Sequence, residues 1–414
     1  MTISGDIVEC ANAAYTAPDR DGIRTLLAHI LSGALGRQPV GHEKLVDAVM
    51  GETPADRATR WAARLYGGRG QDDFYYRGRC HVGVMVLPGL LALDVDDVFA
   101  PFAAGALALM MVSAPYGEVA QIRGLRSSAF FGAAGAAVGA ASALGLSAHA
   151  TATAMKLALG RSGAFSQAFT HHTDEIRHDV AVSAGAGVQS AQFAAAGVTA
   201  ASEAIEGPVG WAAAHFSDPG AAKLRATLDT WSDGIRNIAV KPFAASSMIM
   251  PAIVLADELG QRTRRVPFTA ARVYVHPVAL ALPGTLDRSP FATWQATTTS
   301  IVRCVAEGYT LGTLSGSFPE STAAVSQAEQ VTQVIEDETL PRDSVRIEIE
   351  TADGAMTMQG DAAAQLYPDW SATRGASDAL AIRSDADPSR IAELLNVLAR
   401  SSVSSSALRG VLGI

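Results

Sequence analysis

The sequence predicts a mostly α protein, with a large all-helical domain and a smaller α+β domain. Three observations carry that expectation. From about residue 20 to 260, Ala- and Leu-rich segments of ten to twenty residues recur at helical spacing, separated by Gly, Pro and Asp. Near Gly260 the texture changes to β-branched residues that alternate in places with polar ones. Residues 387–403 return to a helical repeat, with Ile391, Leu394, Leu395 and Leu398 on one face. The expected domains are 1–261, completed by a C-terminal helix 388–414, and 262–387.

The segments DGIRTLLAHILSGAL, PADRATRWAARLYGG, APFAAGALALMMVSA and SAHATATAMKLALG read as helices. Residues 82–93 and 129–148 mimic membrane spans, but the first is short and the second is dominated by Ala and Gly. Both are expected to be buried core helices, with no membrane involved. In the second domain, RRVPFTAARVYVHPVALAL reads as a strand. SPFATWQATTTSIVRCVAEG reads as a helix starting at Ser289-Pro290, and STAAVSQAEQVTQVIEDETL as another. In SVRIEIETADGAMTMQG, Val345, Ile347 and Ile349 alternate with Arg346, Glu348 and Glu350, and Asp353-Gly354 supplies a hairpin turn.

Composition bounds the function. The 414 residues are 49% hydrophobic and 18% charged, which belongs to a globular chain rather than a disordered one. Thirty-two Lys+Arg against 41 Asp+Glu leave no basic footprint for nucleic acid. Only Lys44, Lys156, Lys223 and Lys241 are lysines, so amine chemistry has few candidates. Cys10, Cys80 and Cys304 lie far apart, which excludes a disulfide framework and a CxxC metal site. A reducing cytoplasm is the natural setting. The first residues lack the basic and apolar regions of a signal peptide.

No phosphate loop, GxGxxG after a strand, GxSxG elbow or HExxH is present. Four polar clusters in apolar surroundings remain. In Phe169–Asp179, the residues His171, Glu175 and His178 fall at i, i+4 and i+7, a candidate metal trio or a solvated charged segment. In Gln71–His81, paired carboxylates Asp72 and Asp73, with Tyr75 and Arg79, lead to His81 at the start of an apolar run. That pattern fits general acid/base work, or a polar loop capping a core helix. Arg126 precedes about twenty uncharged residues, and either pairs with a structural carboxylate or grips one on a substrate. Lys241-Pro242 ends one element, and a helix of small residues follows.

These stretches, in this order, resemble the MmgE/PrpD family over residues 55 to 385. HVGVMVLPGLLAL is similar to the family's HPGxxVLPALLAL, and GLRSSAFFGAAGAAVGAASALGL to its GFHxTxTxGxxGAAAAAAxLLGL. TDEIRHDVAVSAGAGVQSAQFAAAGVTAASEAIEG is similar to TKRLHxGxAAxSGxxAAxLAxxGxxGPxxxxEG, and KPFAASSMIMPAI to KxYPxCxxxHPAI. Members of this family include 2-methylcitrate dehydratase, cis-aconitate decarboxylase and iminodisuccinate epimerase. The resemblance implies a helical domain closed by the C-terminal helix, an α+β lid, an active site between them, a homodimer and no cofactor. It implies catalytic roles for His81, His178 and Asp72 or Asp73. It also reveals departures. Arg126 stands for the GFH histidine, Glu175 for the TK lysine, Met250 for the HPAI histidine and Thr299 near the lid tyrosine. Glu175 and His178, one turn apart, form an expected acid/base pair. Arg126, Tyr75, Arg79, Lys241, Met250 and Thr299 are expected to bind substrate.

A glutamate in place of a lysine opposes a tricarboxylate. The expectation is therefore a lyase or isomerase acting on an organic acid or carbonyl compound less anionic than methylcitrate, in a biosynthetic setting. Dehydration, decarboxylation, epimerisation and cyclisation need the same acid/base groups. The alternatives are a catalytically degenerate relative that binds a metabolite or serves as a scaffold, and a metal enzyme built on His171, Glu175 and His178.

Overall fold

A computed structural model describes residues 2–36, 43–67, 72–314, 321–361, 366 and 386–413. Gln71 and all but Leu366 of the stretch 362–385 lie outside these residues. The chain is mostly α with a smaller α+β part.

The helical core is built around small residues. The Ser127–Ala143 helix is buried from Ser127 to Ala141 and packs against the Phe99–Ser113 and Glu175–Ala195 helices. Gly105 and Gly135 meet at the first crossing. A Cβ on Gly105 would sit 2.7 Å from the Gly135 carbonyl oxygen, and one on Gly135 would sit 2.8 Å from the Gly105 carbonyl. The Gly83–Ala92 helix is buried at every residue. Both expected core helices are therefore core. No helix of the described residues is long and apolar enough to cross a membrane. The Pro388–Leu398 helix, capped by Asp387, buries Ile391, Leu394, Val397 and Leu398 against the Arg20–Leu35 helix. A second helix, Ser405–Leu412, follows it and packs on Gly83–Ala92.

The helical domain contains one short ribbon. Strand β1 (Asp73–Phe74) pairs antiparallel with β2 (Ala239–Val240). This pairing brings residue 72 beside residue 241, although they are far apart in sequence.

The smaller part holds a four-stranded sheet of order β4-β3-β5-β6, formed by Phe268–Val275 (β3), Thr332–Glu336 (β4), Ser344–Thr351 (β5) and Gly354–Asp361 (β6). β3 runs parallel to β4 and antiparallel to β5. Val345, Ile347 and Ile349 are buried, as their alternation implies.

Three expectations change here. STAAVSQAEQVTQVIEDETL is a helix only over Ala323–Gln330. Its β-branched second half is strand β4, which the parallel edge of β3 recruits. The hairpin pairs Thr351 with Gly354, so Ala352 and Asp353 form the turn and Gly354 adopts φ 124°. The helix expected from Ser289-Pro290 starts at Trp294, capped by Thr293, and breaks at Ser300, whose side chain caps Ile301–Leu311.

The division between the two cores also falls earlier than residue 262. The Met250–Arg262 helix packs on Ile301–Leu311 and on β5 and β6, and Phe243, Ile249 and Met250 share the sheet's hydrophobic core. An apolar helix cannot reveal by periodicity which neighbour it covers. The changeover lies near Lys241, where β2 ends.

The glycine crossing yields a stability prediction. Gly105→Ala forces a methyl into backbone and should cost about 1–3 kcal/mol, read as a lower urea midpoint with unchanged slope. An unchanged midpoint would show that these helices separate freely.

Candidate active site

Two sequence-distant segments form the site. The β1–β2 pairing sets the Asp72 carbonyl to accept from the Lys241 amide at 3.0 Å. His29 Nε2, from the Arg20–Leu35 helix, lies 2.9 Å from that carbonyl and 3.1 Å from the Lys241 amide nitrogen. His29 is fully buried, and the desolvation of its charged form lowers its pKa to about 4. It therefore stays neutral and serves as a backbone spacer.

On this frame Asp72 Oδ1 lies 2.5 Å from Lys241 Nζ and 3.2 Å from His81 Nδ1. Burial alone would raise the Asp72 carboxyl, but His81 and Lys241 outweigh it and hold its pKa below the usual carboxylate value. His81 Nδ1 also sits 2.6 Å from the Asp73 carbonyl oxygen. A carbonyl can only accept, so Nδ1 carries the proton and Nε2 is left as the basic nitrogen. The His81 backbone N–H donates to Ser128 Oγ at 3.1 Å, and its ring lies edge-on to Tyr66 and Phe74. These contacts fix the orientation of the imidazole.

Asp73 has a different task. Its Oδ2 accepts from the amides of Val82 at 2.7 Å and Gly83 at 2.8 Å, capping the Gly83–Ala92 helix. The positive end of that helix is thus met by Asp73 rather than by the His81 ring. Burial and the nearby Asp72 charge raise the Asp73 pKa.

His81 opens onto a cavity of about 130 Å³ between the helical part and the sheet domain. Arg79, Arg126, Lys241 and Thr299 line it too. Arg79 is ion-paired with Asp343, which ties the two parts together. Arg126 donates to Tyr66 Oη at 2.6 Å, and its guanidinium carbon stands 4.7 Å from the Phe169 ring centroid. Among the described residues no carboxylate pairs with it.

Four expected residues stand elsewhere. Met250 is fully buried in the sheet-domain core and does not line the cavity. Tyr75 is buried in the helical core and donates to Asp233 Oδ2 at 2.5 Å; burial and that carboxylate push its pKa up. Glu175 is exposed, and His178 is exposed with its Nδ1 3.1 Å from Asp179 Oδ1. The cavity is lined instead by Ile176 and Arg177 from the same turn. The expected acid/base pair therefore faces away from the cavity. The trio His171, Glu175 and His178 fails for a related reason. His172 adopts φ 49° and ends the Gln167–His171 helix, so the three do not lie on one helix. No group of three metal-ligating side chains occurs among the described residues.

Arg177 is the residue that sequence reading missed. It shares its helix face with Ala181, Ala184, Val188 and Ala191, all buried. That stripe was present in the sequence, at helical spacing from Arg177 and not from Glu175. The carboxylate thought to repel anions is thus outside the cavity, and a guanidinium is inside. Burial lowers the Arg177 pKa, with Asp174 opposing.

Residues 22–223 match the family model described as the MmgE/PrpD N-terminal domain. No curated protein matches the chain.

The buried His29 makes stability fall in acid. Its folded pKa of about 4 lies below the usual value near 6.5, so between those values the unfolded chain binds more protons. Stability should drop as pH falls from 6.5 to 4, by about 1.4 kcal/mol per unit and about 3 kcal/mol in all. Denaturant titrations across that window should show a shallower pH slope in His29→Gln. Equal slopes would mean that His29 does not stay neutral.

Proposed function

Because the chain belongs to the MmgE/PrpD family through its N-terminal domain, we propose that it is a lyase or isomerase that moves a proton beside a carboxylate. The observation that carries this reading is the His81 ring, fixed by Asp72 and the Asp73 carbonyl, with its basic Nε2 left for a cationic cavity. The family is generally enzymatic. In this reading His81 Nε2 removes the proton from the carbon next to the carboxylate. The electron pair flows into the carboxylate, where Arg126 and Arg177 stabilise the added charge. Lys241 and Tyr66 line the same space and supply proton donors for departing hydroxide or for the returning carbon. Asp72 is a positioning residue: it stabilises the imidazolium that forms.

All these groups come from the chain, so the step needs no organic cofactor. From that carbanion, dehydration expels hydroxide, epimerisation returns a proton to the other face and cyclisation adds the carbon to an electrophile; decarboxylation instead creates the electron pair as carbon dioxide departs, and a proton donor quenches it. A homodimer working in the cytoplasm, in a biosynthetic setting, belongs to the same proposal. The fixed base and the cavity favour catalysis over a scaffold role.

Incubation with small 2-hydroxy and unsaturated acids in deuterated water, followed by NMR, tests the proposal. Deuterium should enter the carbon next to a carboxylate. His81→Gln should slow that exchange about 10²–10⁴-fold, while Glu175→Gln and His178→Ala should stay within about threefold of the parent. Full activity in His81→Gln, or collapse in Glu175→Gln, would return the chemistry to the outer face of the helix.

A further inference from the structure

The cavity holds cations in two states. Lys241 is engaged by Asp72 and Arg79 by Asp343. Arg126 and Arg177 are 5% and 6% exposed, yet neither has a carboxylate within ion-pair distance among the described residues. Arg126 Nε is buried with no hydrogen-bond partner. The Arg177 guanidinium carbon lies 5.7 Å from the Trp294 ring centroid. A buried charge without its counterion is costly, and a bound anion relieves that cost. Both groups are placed to receive one.

The remaining wall is mixed, with uncharged polar side chains such as Ser127, Ser128, Ser166 and Thr298 beside an apolar face. Phe169, Ile176, Leu282 and Trp294 line the cavity beside the two arginines, and about 130 Å³ is close to the size of a cavity that admits benzene. A tricarboxylate would find two cations without a carboxylate partner and would set its third charge against uncharged side chains, at the expense of the apolar face. Resting on the acid/base reading above, we infer that the substrate carries no more than two carboxylates on a compact apolar body of about six carbons. Arg126 and Arg177 hold the acid end, and Phe169, Leu282 and Trp294 pack on the body.

Calorimetric titration of the whole protein with four probes tests this inference: malonate, isobutylmalonate, benzoate and tricarballylate. Isobutylmalonate should bind at least about tenfold more tightly than malonate, since the added carbons leave water. Both isobutylmalonate and benzoate should bind more tightly than tricarballylate. Arg126→Gln and Arg177→Gln should each weaken isobutylmalonate about 10- to 100-fold, Arg177→Lys should restore part of the loss, and Leu282→Ser should weaken isobutylmalonate but not malonate.

Tighter binding of tricarballylate, equal binding of malonate and isobutylmalonate, no effect of either glutamine variant, or no saturable binding of any probe overturns the inference. The probe series on the parent protein stands even if a variant folds poorly. Failed selectivity with His81-dependent turnover intact overturns this inference alone. Selective binding without any proton exchange overturns the acid/base reading alone.

Discussion

Asp72 is a carboxylate taken wholly out of water, and the fold must set a cation and an imidazole N–H against it. Lys241 reaches it from the end of β2, and His81 from the start of the apolar core helix. Its attachment to both explains why the chain forms a two-residue ribbon in an otherwise helical domain. The Asp73–Phe74 and Ala239–Val240 pairing is short, yet it fixes the backbone so that the Asp72 and Lys241 side chains meet. His29 braces the same junction from behind as a neutral ring. Removing one member of such a pair leaves an uncompensated buried charge, which is more destructive than never having had the pair.

The same junction governs the relation between the two parts of the chain. Lys241 is the last residue before the chain enters the sheet domain, so the ion pair anchors the connection as well as the base. The Arg79–Asp343 pair ties the parts together again at the cavity rim. Elements from both parts line the cavity at His81, and the low exposure of the groups there strengthens the charge interactions among them. Asp72 engages Lys241 and His81, while Arg126 and Arg177 have no carboxylate partner among the described residues.

Much of the fold was legible in the sequence because burial writes itself as period. The alternation in 344–351 and the uncharged run from Ser127 were read correctly for that reason. The lining of the cavity was legible where polar groups are rare: His81, Arg126 and Lys241 stand out against apolar neighbours. It was misread where motif alignment replaced helical phase. Glu175, which aligns with the family's lysine, faces solvent, whereas the buried stripe through Ala181, Ala184 and Val188 continues to Arg177. Asp72 and Asp73 are adjacent and chemically identical, and only the ribbon decides that one holds a base while the other caps a helix. The assignment of Met250–Arg262 to the sheet domain depends on contacts that no local pattern encodes.

A double-mutant cycle on Asp72 and Lys241, followed by urea unfolding, tests the central role of their pairing most directly. Asp72→Asn and Lys241→Met should each cost about 3–5 kcal/mol by stranding the partner's buried charge. The double variant should be more stable than the sum of the two losses implies, with a coupling of about 2–3 kcal/mol. Losses that simply add would contradict the account, because they would show that the two charges do not depend on one another.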